Sequence, residues 1–375
     1  MLSSFRLTTL ITSLVLIFSF SLITLFSFSG NEIVFWKQLG WIIFSLIIMT
    51  ICARMPYDFL KKSSMTTVLY GFGIVLLIAL LEIGNNIKGA QAWVVFGLFS
   101  LQPADVMKFF FIIIMAKYLA RRHVQIADMK HIIITFCYMI VPAGLILLQP
   151  DFGSVIIFGI IWFFMLLLAG ISRKHLLILT SIGILVCIGL WSFVFKPYQK
   201  LRIVNFINPS ADVRGSGYNV NQSMIAIGSG QLIGKGFGYG TQSRLNFLPE
   251  YKTDFIFAAY GEEWGFIGIS ILLTCFATIV LFCITTAHYA KSNFESLFSL
   301  GVALLLLGHI TINIGMNMGI MPVTGIPLPF MSYGGTHILI ECIMIGIVIA
   351  IHRNANASHK HDYYTEFTAL SEDLR

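Results

Sequence analysis

The chain has 375 residues, of which 57% are hydrophobic and 11% charged, and a mean hydropathy of +0.86, which excludes an ordinary soluble domain. The formal charge of +7 lies largely in short connections between apolar runs, where it faces anionic lipid head groups, and nothing in it points to nucleic acid. Cys52, Cys137, Cys187, Cys275, Cys283 and Cys342 fall in or beside apolar runs, so neither a disulfide framework nor a thiolate metal site is expected.

A membrane helix needs about 20 apolar residues to cross the hydrocarbon core. Runs near 8–28, 34–53, 65–83, 106–120, 132–149, 152–171, 175–195, 254–286, 297–318 and 333–352 meet that need. The first has only Arg6 ahead of it and no small-residue cleavage site after it, so it reads as an uncleaved helix. One set of alternate connections holds Arg54, Lys61, Lys62, Arg121, Arg122, Lys130, Arg173, Lys174 and Lys291, whereas the opposite short loops hold little beyond Lys37 and Lys88. The positive-inside rule then puts both termini in the cytoplasm. The prediction is an all-α polytopic membrane protein of about ten transmembrane helices. Residues 1–352 form the membrane domain, 353–375 a polar cytoplasmic tail, and about 196–253 a large extracytoplasmic loop between helices 7 and 8.

Polar residues inside apolar runs carry the next layer, because an ionisable group in hydrocarbon costs at least about 2.5–3.5 kcal/mol and usually faces a partner or a cavity. In "SLQPADVMKFFF", Asp105 and Lys108 share a helix face at i, i+3, as a stabilising pair or part of a site. Asp151, after a proline, suits a cap of the sixth helix. The outer loop carries Lys196, Lys200, Arg202, Arg214, Lys235, Arg244 and Lys252 against Asp212 and Glu250. That excess either means little in a translocated loop of this length or awaits an anion such as a lipid phosphate. "SGQLIGKG" lacks the Gly and Ser/Thr of a phosphate loop, so its glycines suggest tight backbone turns.

Beyond the loop, Asp254 stands at the start of the eighth run. The bland reading is a helix cap or dipole partner. Glu262, eight residues on, lies nearest the same face of a continuous helix, and Glu263 diverges from it by about 100°. His309, Asn313 and Asn317 recur every fourth residue as a stripe suited to interhelical hydrogen bonds, and His337 and Glu341 form an i, i+4 pair. Between them "GIMPVTGIPLPFMSYGGT" has no charge, and Pro322, Pro327 and Pro329 forbid a regular helix. Irregular backbone at membrane depth is tolerated only where protein or a watery cavity satisfies it, so this segment should tuck inward.

Residues 205–268, "NFINPSADVRGSGYNVNQSMIAIGSGQLIGKGFGYGTQSRLNFLPEYKTDFIFAAYGEEWGFIG", and "PVTGIPLPFMSYGG" resemble the signature regions of the SEDS family (RodA, FtsW and SpoVE), with a RodA-like "GTQSRLNFLPE". The resemblance covers nearly all of the ten runs. It implies a ten-helix membrane glycosyltransferase of the bacterial plasma (inner) membrane that polymerises lipid II, the undecaprenyl-pyrophosphate-linked disaccharide peptide, during cell-wall elongation. It also implies a class B penicillin-binding protein as partner transpeptidase. The family's essential acid falls on Asp254, its outer-loop tryptophan on Trp93, and its QPSE-type motif on Gln102, Pro103, Ala104 and Asp105, followed by Lys108. Arg202, Gln222, Ser223, Glu250, Glu263, Pro329 and Ser332 also match family positions. Ala92, Asp105, Lys252 and Trp264 depart from its usual residues.

On that resemblance, Asp254 is the catalytic candidate, as base or as ligand of a divalent cation, magnesium or manganese, shared with substrate phosphates. Trp93, Gln222, Ser223 and Ser332 are expected near substrate, and Lys108, Arg202, Arg244 and Lys252 are candidates for the pyrophosphate. Asp105, Asp151, Glu250, Glu263 and Pro329 are expected to support the cavity. A lipid II flippase would suit a basic-mouthed polar cavity too, and a noncatalytic scaffold for the penicillin-binding protein would use aromatic helix faces as its contacts.

Overall fold

A computed structural model describes residues 2–29, 32–87, 90–96, 99–122, 128–189, 192, 200, 204, 206, 216–245 and 247–372. Each of the ten predicted runs contains a helix: α1 (Leu2–Ser29), α2 (Glu32–Cys52), α3 (Ser63–Ile83), α4 (Pro103–Arg121), α5 (Met129–Leu148), α6 (Phe152–Leu168), α7 (Arg173–Gly189), α10 (Ile256–His288), α11 (Asn293–Asn317) and α12 (Gly335–Glu372). Two shorter helices among the described residues, α8 (Ser216–Ser229) and α9 (Thr241–Arg244), lie in the long connection between α7 and α10. Seven of the ten are long and apolar enough to cross a membrane. The others fall short for visible reasons: α4 carries Asp105, Lys108, Lys117 and Arg121, and α6 and α7 have 17 residues each.

The connection from α3 to α4 folds into an antiparallel sheet of β1 (Asn85–Ile87), β2 (Ala90–Phe96) and β3 (Phe99–Leu101), the one sheet among the described residues. The run "AWVVF" has the β-branched and aromatic side chains that favour a pleated strand. Trp93, on the middle strand, faces Asn85 in the register.

Helices α4, α11 and α12 form the centre, with α1, α2, α3, α6 and α10 packed around them. Apolar side chains such as Val68, Ile43 and Leu177 point outward, as expected where lipid covers the surface. At one end of the bundle, buried Glu295 accepts from Tyr57 Oη at 2.9 Å and Lys61 Nζ at 2.8 Å, and Asn354 Nδ2 donates to the same tyrosine oxygen at 3.2 Å. Tyr57 and Lys61 belong to a 3-10 turn (Tyr57–Lys61) between α2 and α3, so this cluster ties that turn to α11 and α12. Burial pushes the Tyr57 phenol up to about 12, which keeps it a neutral donor.

The eighth run departs from the sequence reading. It is not one continuous helix: Gly265 (φ 62°, ψ −163°) interrupts α10. The loop between α7 and α10 repairs the broken ladder, since Phe266 N and Ile267 N donate to Gln231 O and Leu232 O at 2.8 and 3.0 Å. In return Lys235 N and Gly236 N donate to Glu262 O and Glu263 O, both at 3.0 Å. Two glycines make the approach feasible. A Cβ on Gly230 would stand 2.1 Å from Gly261 O, and one on Gly234 (φ 82°) 2.0 Å from Glu263 O. The glycine run of "SGQLIGKG" thus serves close backbone contact.

Candidate active site

The other end of the bundle gathers the residues singled out from sequence, and the Pro-rich segment 318–334 is its floor. Ile326, Leu328, Pro329, Phe330 and Met331 are buried, so the segment tucks inward as its prolines predict. Backbone bonds hold it: Leu328 N donates to Ser332 Oγ at 2.8 Å and Phe330 N to Glu341 Oε2 at 2.9 Å. Gly153, at the start of α6, lies so close that a Cβ would stand 2.7 Å from Thr324 O.

Asp254 sits in the turn just before α10, half-buried; Phe255 holds the N-cap position. Its peptide is gripped from two sides. Asn313 Nδ2 and Asn317 Nδ2 both donate to Asp254 O at 3.0 Å. Ser332 Oγ donates to the preceding carbonyl, Thr253 O, at 2.6 Å, and Tyr333 N to Lys252 O at 2.9 Å. The asparagine stripe therefore does bond across elements, to a turn and the Pro-rich segment (Asn313 Nδ2 to Ile326 O, 2.8 Å). Opposite the carboxylate runs Gly325 (φ 74°), where an added Cβ would stand 3.6 Å from Asp254 Oδ2.

Beneath this turn lies a buried ionic cluster. Lys108 Nζ and Asp105 Oδ1 are 2.9 Å apart, His337 Nδ1 and Asp105 Oδ2 3.2 Å, and His337 Nε2 and Glu341 Oε1 3.0 Å. His309 stacks on His337 with ring centroids 5.0 Å apart and meets Pro327 O through Nδ1 at 3.3 Å. Burying five charged or polar side chains this deeply is tolerable because each has a partner. The cluster welds α4, α11 and α12 under the Pro-rich segment. Lys108 is only 3% exposed, so its ammonium serves Asp105 in this structure and does not line an open surface.

The remaining predicted residues divide clearly. Asp151 caps α6, accepting from Ser154 N at 3.0 Å and Ser154 Oγ at 2.7 Å, and also takes Gln102 Nε2 at 3.3 Å. Ser223, on α8, is buried and donates to Asn317 O at 2.8 Å. Gln222, one residue earlier, is half-buried and lines an open pocket of about 570 Å³ with Tyr218, Asn221, Met224 and Ile225. Lys252 Nζ rests 5.3 Å from the centroid of the Tyr251 ring. Glu250 (φ 55°) accepts from Thr253 Oγ1 at 3.2 Å, and exposed Arg244 donates to Gly238 O at 2.9 Å. Arg202 lies outside the described residues.

Helical periodicity predicts Glu262 nearest the Asp254 face and Glu263 diverging from it in a supporting role. In the structure both carboxylates bond to the loop between α7 and α10, and Asp254 lies in the turn ahead of the helix, where helical periodicity does not reach. Glu262 Oε1 accepts from Lys235 Nζ (2.7 Å), Thr241 N (2.8 Å) and Gln242 N (3.1 Å), which caps α9. Glu263 Oε1 accepts from Gly238 N at 2.7 Å and from Ser27 Oγ of α1. Lys235, in this role, was not separable by sequence from the other loop bases. Trp264, the family departure, packs on Phe20 and Tyr260 with centroids 5.7 and 6.0 Å away.

No group of three or more His, Cys, Asp or Glu that could hold a metal occurs among the described residues. A divalent cation at Asp254 would have to complete its shell with substrate phosphate and water.

Fold and site define a polytopic membrane protein that buries an asparagine-anchored acidic turn against a Pro-rich segment. Comparison with known proteins gives the class its name: residues 1–357 match the model of the FtsW/RodA/SpoVE cell cycle proteins, and the chain belongs to that family. It is 35% identical over 345 residues to the peptidoglycan glycosyltransferase MrdB of Escherichia coli K12, covering 92% of each chain. To the probable peptidoglycan glycosyltransferase FtsW of Thiomicrospira cyclica it is 36% identical over 284 residues, 74% of this chain and 72% of that one. Among solved structures, a chain of a peptidoglycan synthase complex that coordinates polymerization and crosslinking superposes with a TM-score of 0.79 at 26% identity, covering 92% of this chain and 97% of that one. The rod shape determining protein RodA of Thermus thermophilus gives 0.69 at 25% identity, covering 92% and 96%.

Proposed function

We propose that this peptidoglycan glycosyltransferase polymerises lipid II at the outer face of the bacterial inner membrane, with Asp254 as general base. Both termini lie in the cytoplasm, and ten helices cross the bilayer. Asp254 takes the proton of the acceptor sugar's 4-hydroxyl as that oxygen bonds to the donor's anomeric carbon and the bond to undecaprenyl diphosphate breaks. The observation that carries this reading is the double grip on the Asp254 peptide by Asn313, Asn317 and Ser332, which spends bonds on its backbone and aims the carboxylate past a glycine. Fixing a reacting group in this way removes orientational entropy from the barrier.

The departing diphosphate needs cations, and Lys252 and Arg244 flank the turn in sequence as the described candidates, with Arg202 a further one. If a divalent cation takes part, Asp254 would be its protein ligand, and the cation would supply positive charge to the departing diphosphate. The similarity to a chain of a polymerising and crosslinking complex supports a class B penicillin-binding protein as partner. Purified protein, alone and with that partner, given labelled lipid II should build glycan strands. Well-folded protein that yields no strands in either form overturns the reading, and lipid movement without strands would favour a flippase.

A further inference from the structure

The first two membrane helices reach the peptide that carries Asp254 through a short chain of hydrogen bonds. Gln38 of α2 is fully buried, and its Nε2 donates to Ser332 O at 3.2 Å and to Ser21 Oγ at 3.4 Å. Ser21 of α1, also fully buried, donates to Met331 O at 2.6 Å. Ser332 then donates through Oγ to Thr253 O, one peptide from Asp254. The same helix fixes the end of the segment a second way: a Cβ on Gly335 would stand 2.0 Å from the Trp41 ring.

The chemistry of this chain fixes its direction. The Ser21 hydroxyl has one proton and spends it on Met331 O, so toward Gln38 it can only accept. That sets the amide with its NH2 group toward the segment, and it leaves Gln38 Oε1 buried with no donor. A buried carbonyl with no protein donor among the described residues is costly, and an apolar side chain of similar volume would avoid the cost. Stability alone therefore favours Met or Leu at position 38, whereas the amide serves orientation.

We propose that Gln38 and Ser21 are positioning residues for glycosyl transfer: they set Met331 and Ser332 in the register in which Ser332 holds the Thr253 carbonyl and so aims Asp254. This rests on the reading of Asp254 as the base. Asn313 and Asn317 grip the Asp254 carbonyl from α11, and the Gln38–Ser21 clasp is the second grip, from α1 and α2.

Polymerisation kinetics and thermal stability of Gln38→Met, Ser21→Ala, Ser21→Thr and Asp254→Asn, measured side by side, test it. Gln38→Met should insert normally and melt at the wild-type temperature or above, with kcat down at least about ten-fold and KM for lipid II unchanged. Ser21→Ala should lower kcat by a smaller factor, and Ser21→Thr, which keeps the hydroxyl, should restore it. A Gln38→Met protein that keeps its kcat, or whose loss only tracks its folded fraction, overturns the proposal. Should Gln38→Met fail to insert, Ser21→Ala decides: a drop in kcat supports the clasp and an unchanged kcat sinks it. If Asp254→Asn itself polymerises, the base assignment fails. If Asp254→Asn is inactive while the Gln38 and Ser21 variants are not, only the clasp fails.

Discussion

Asp254 and the Glu262–Glu263 pair stand within ten residues of one another, yet the protein holds them in opposite ways. Around Asp254 the hydrogen bonds from Asn313, Asn317 and Ser332 go to main-chain carbonyls. At Glu262 and Glu263 the bonds from Lys235, Thr241, Gln242, Gly238 and Ser27 go to the carboxylates. Bonds spent on a carboxylate turn it into structure. Bonds to the flanking carbonyls fix where the Asp254 peptide stands, and with it the point from which the side chain projects, which suits a group that must be placed for a reaction. The difference also explains why three acids so close in sequence need not share a role.

The sharpest way to break this comparison is Asp254→Asn. The variant keeps the Asp254 carbonyl that Asn313 and Asn317 grip, so membrane insertion and protease resistance should stay near wild type. Polymerisation should fall by at least about 10²-fold, the scale of losing a general base. Strands made from labelled lipid II at the wild-type rate would make Asp254 a structural acid like its neighbours.

Next in size is Gly234→Ala, directed at the loop. The new Cβ meets Glu263 O at 2.0 Å at a positive φ, and relief requires the loop to leave the break in α10. We expect a loss of more than about 2 kcal/mol, the range of strained and overpacked sites, read as a lower melting temperature and new outer-face cleavage between 230 and 245. An undisturbed loop would mean that the close approach is not needed. Glu262→Gln should act in the same place more gently. It removes the charge opposite Lys235 and turns one acceptor into a donor, at about 1–3 kcal/mol for the buried group left unsatisfied. Cleavage in the loop should rise while kcat falls far less than in Asp254→Asn; a kcat loss as deep as that variant's, without loop opening, would move Glu262 into the chemistry.

Much of this was legible in the sequence, for identifiable reasons. Apolar runs are long-range averages and survive local detail, so all ten contain helices. Asp151 as a cap, Asp105 with Lys108, and the asparagine stripe obey local spacing rules, and each forms the contact that its spacing allows. The break at Gly265 was not legible, because a glycine in an apolar run looks the same whether or not a distant loop comes to complete the ladder. The meeting of Glu262 and Glu263 with residues 235–243 was hidden too, because it depends on where the same distant loop folds back. Likewise the burial of Lys108 depends on His337 and Glu341, more than 200 positions away, and no periodicity reports that meeting. Gln38 gave no signal at all, since a lone amide in an apolar run reads as neither site nor error.

The smallest effect should come from Ser223→Ala, and it separates two readings of one residue. The family match places Ser223 near substrate, whereas its hydroxyl is buried and donates to Asn317 O at 2.8 Å, beside Asn317 Oδ1 at 3.3 Å. Asn317 in turn holds both Asp254 O and, through Oδ1, Ala258 N at 3.2 Å. Ser223 therefore steadies the asparagine that steadies the acidic turn. Alanine removes one neutral hydrogen bond and leaves a carbonyl at the C-terminal end of α11 with one partner fewer, a loss of about 1 kcal/mol. Because Asn317 keeps its bonds to Asn313 and to Asp254 O, the turn should hold, with kcat lowered no more than a few-fold and KM for lipid II unchanged. A raised KM with an unchanged melting temperature would instead mean that the hydroxyl leaves Asn317 to meet the sugar, and that α8 moves when substrate binds.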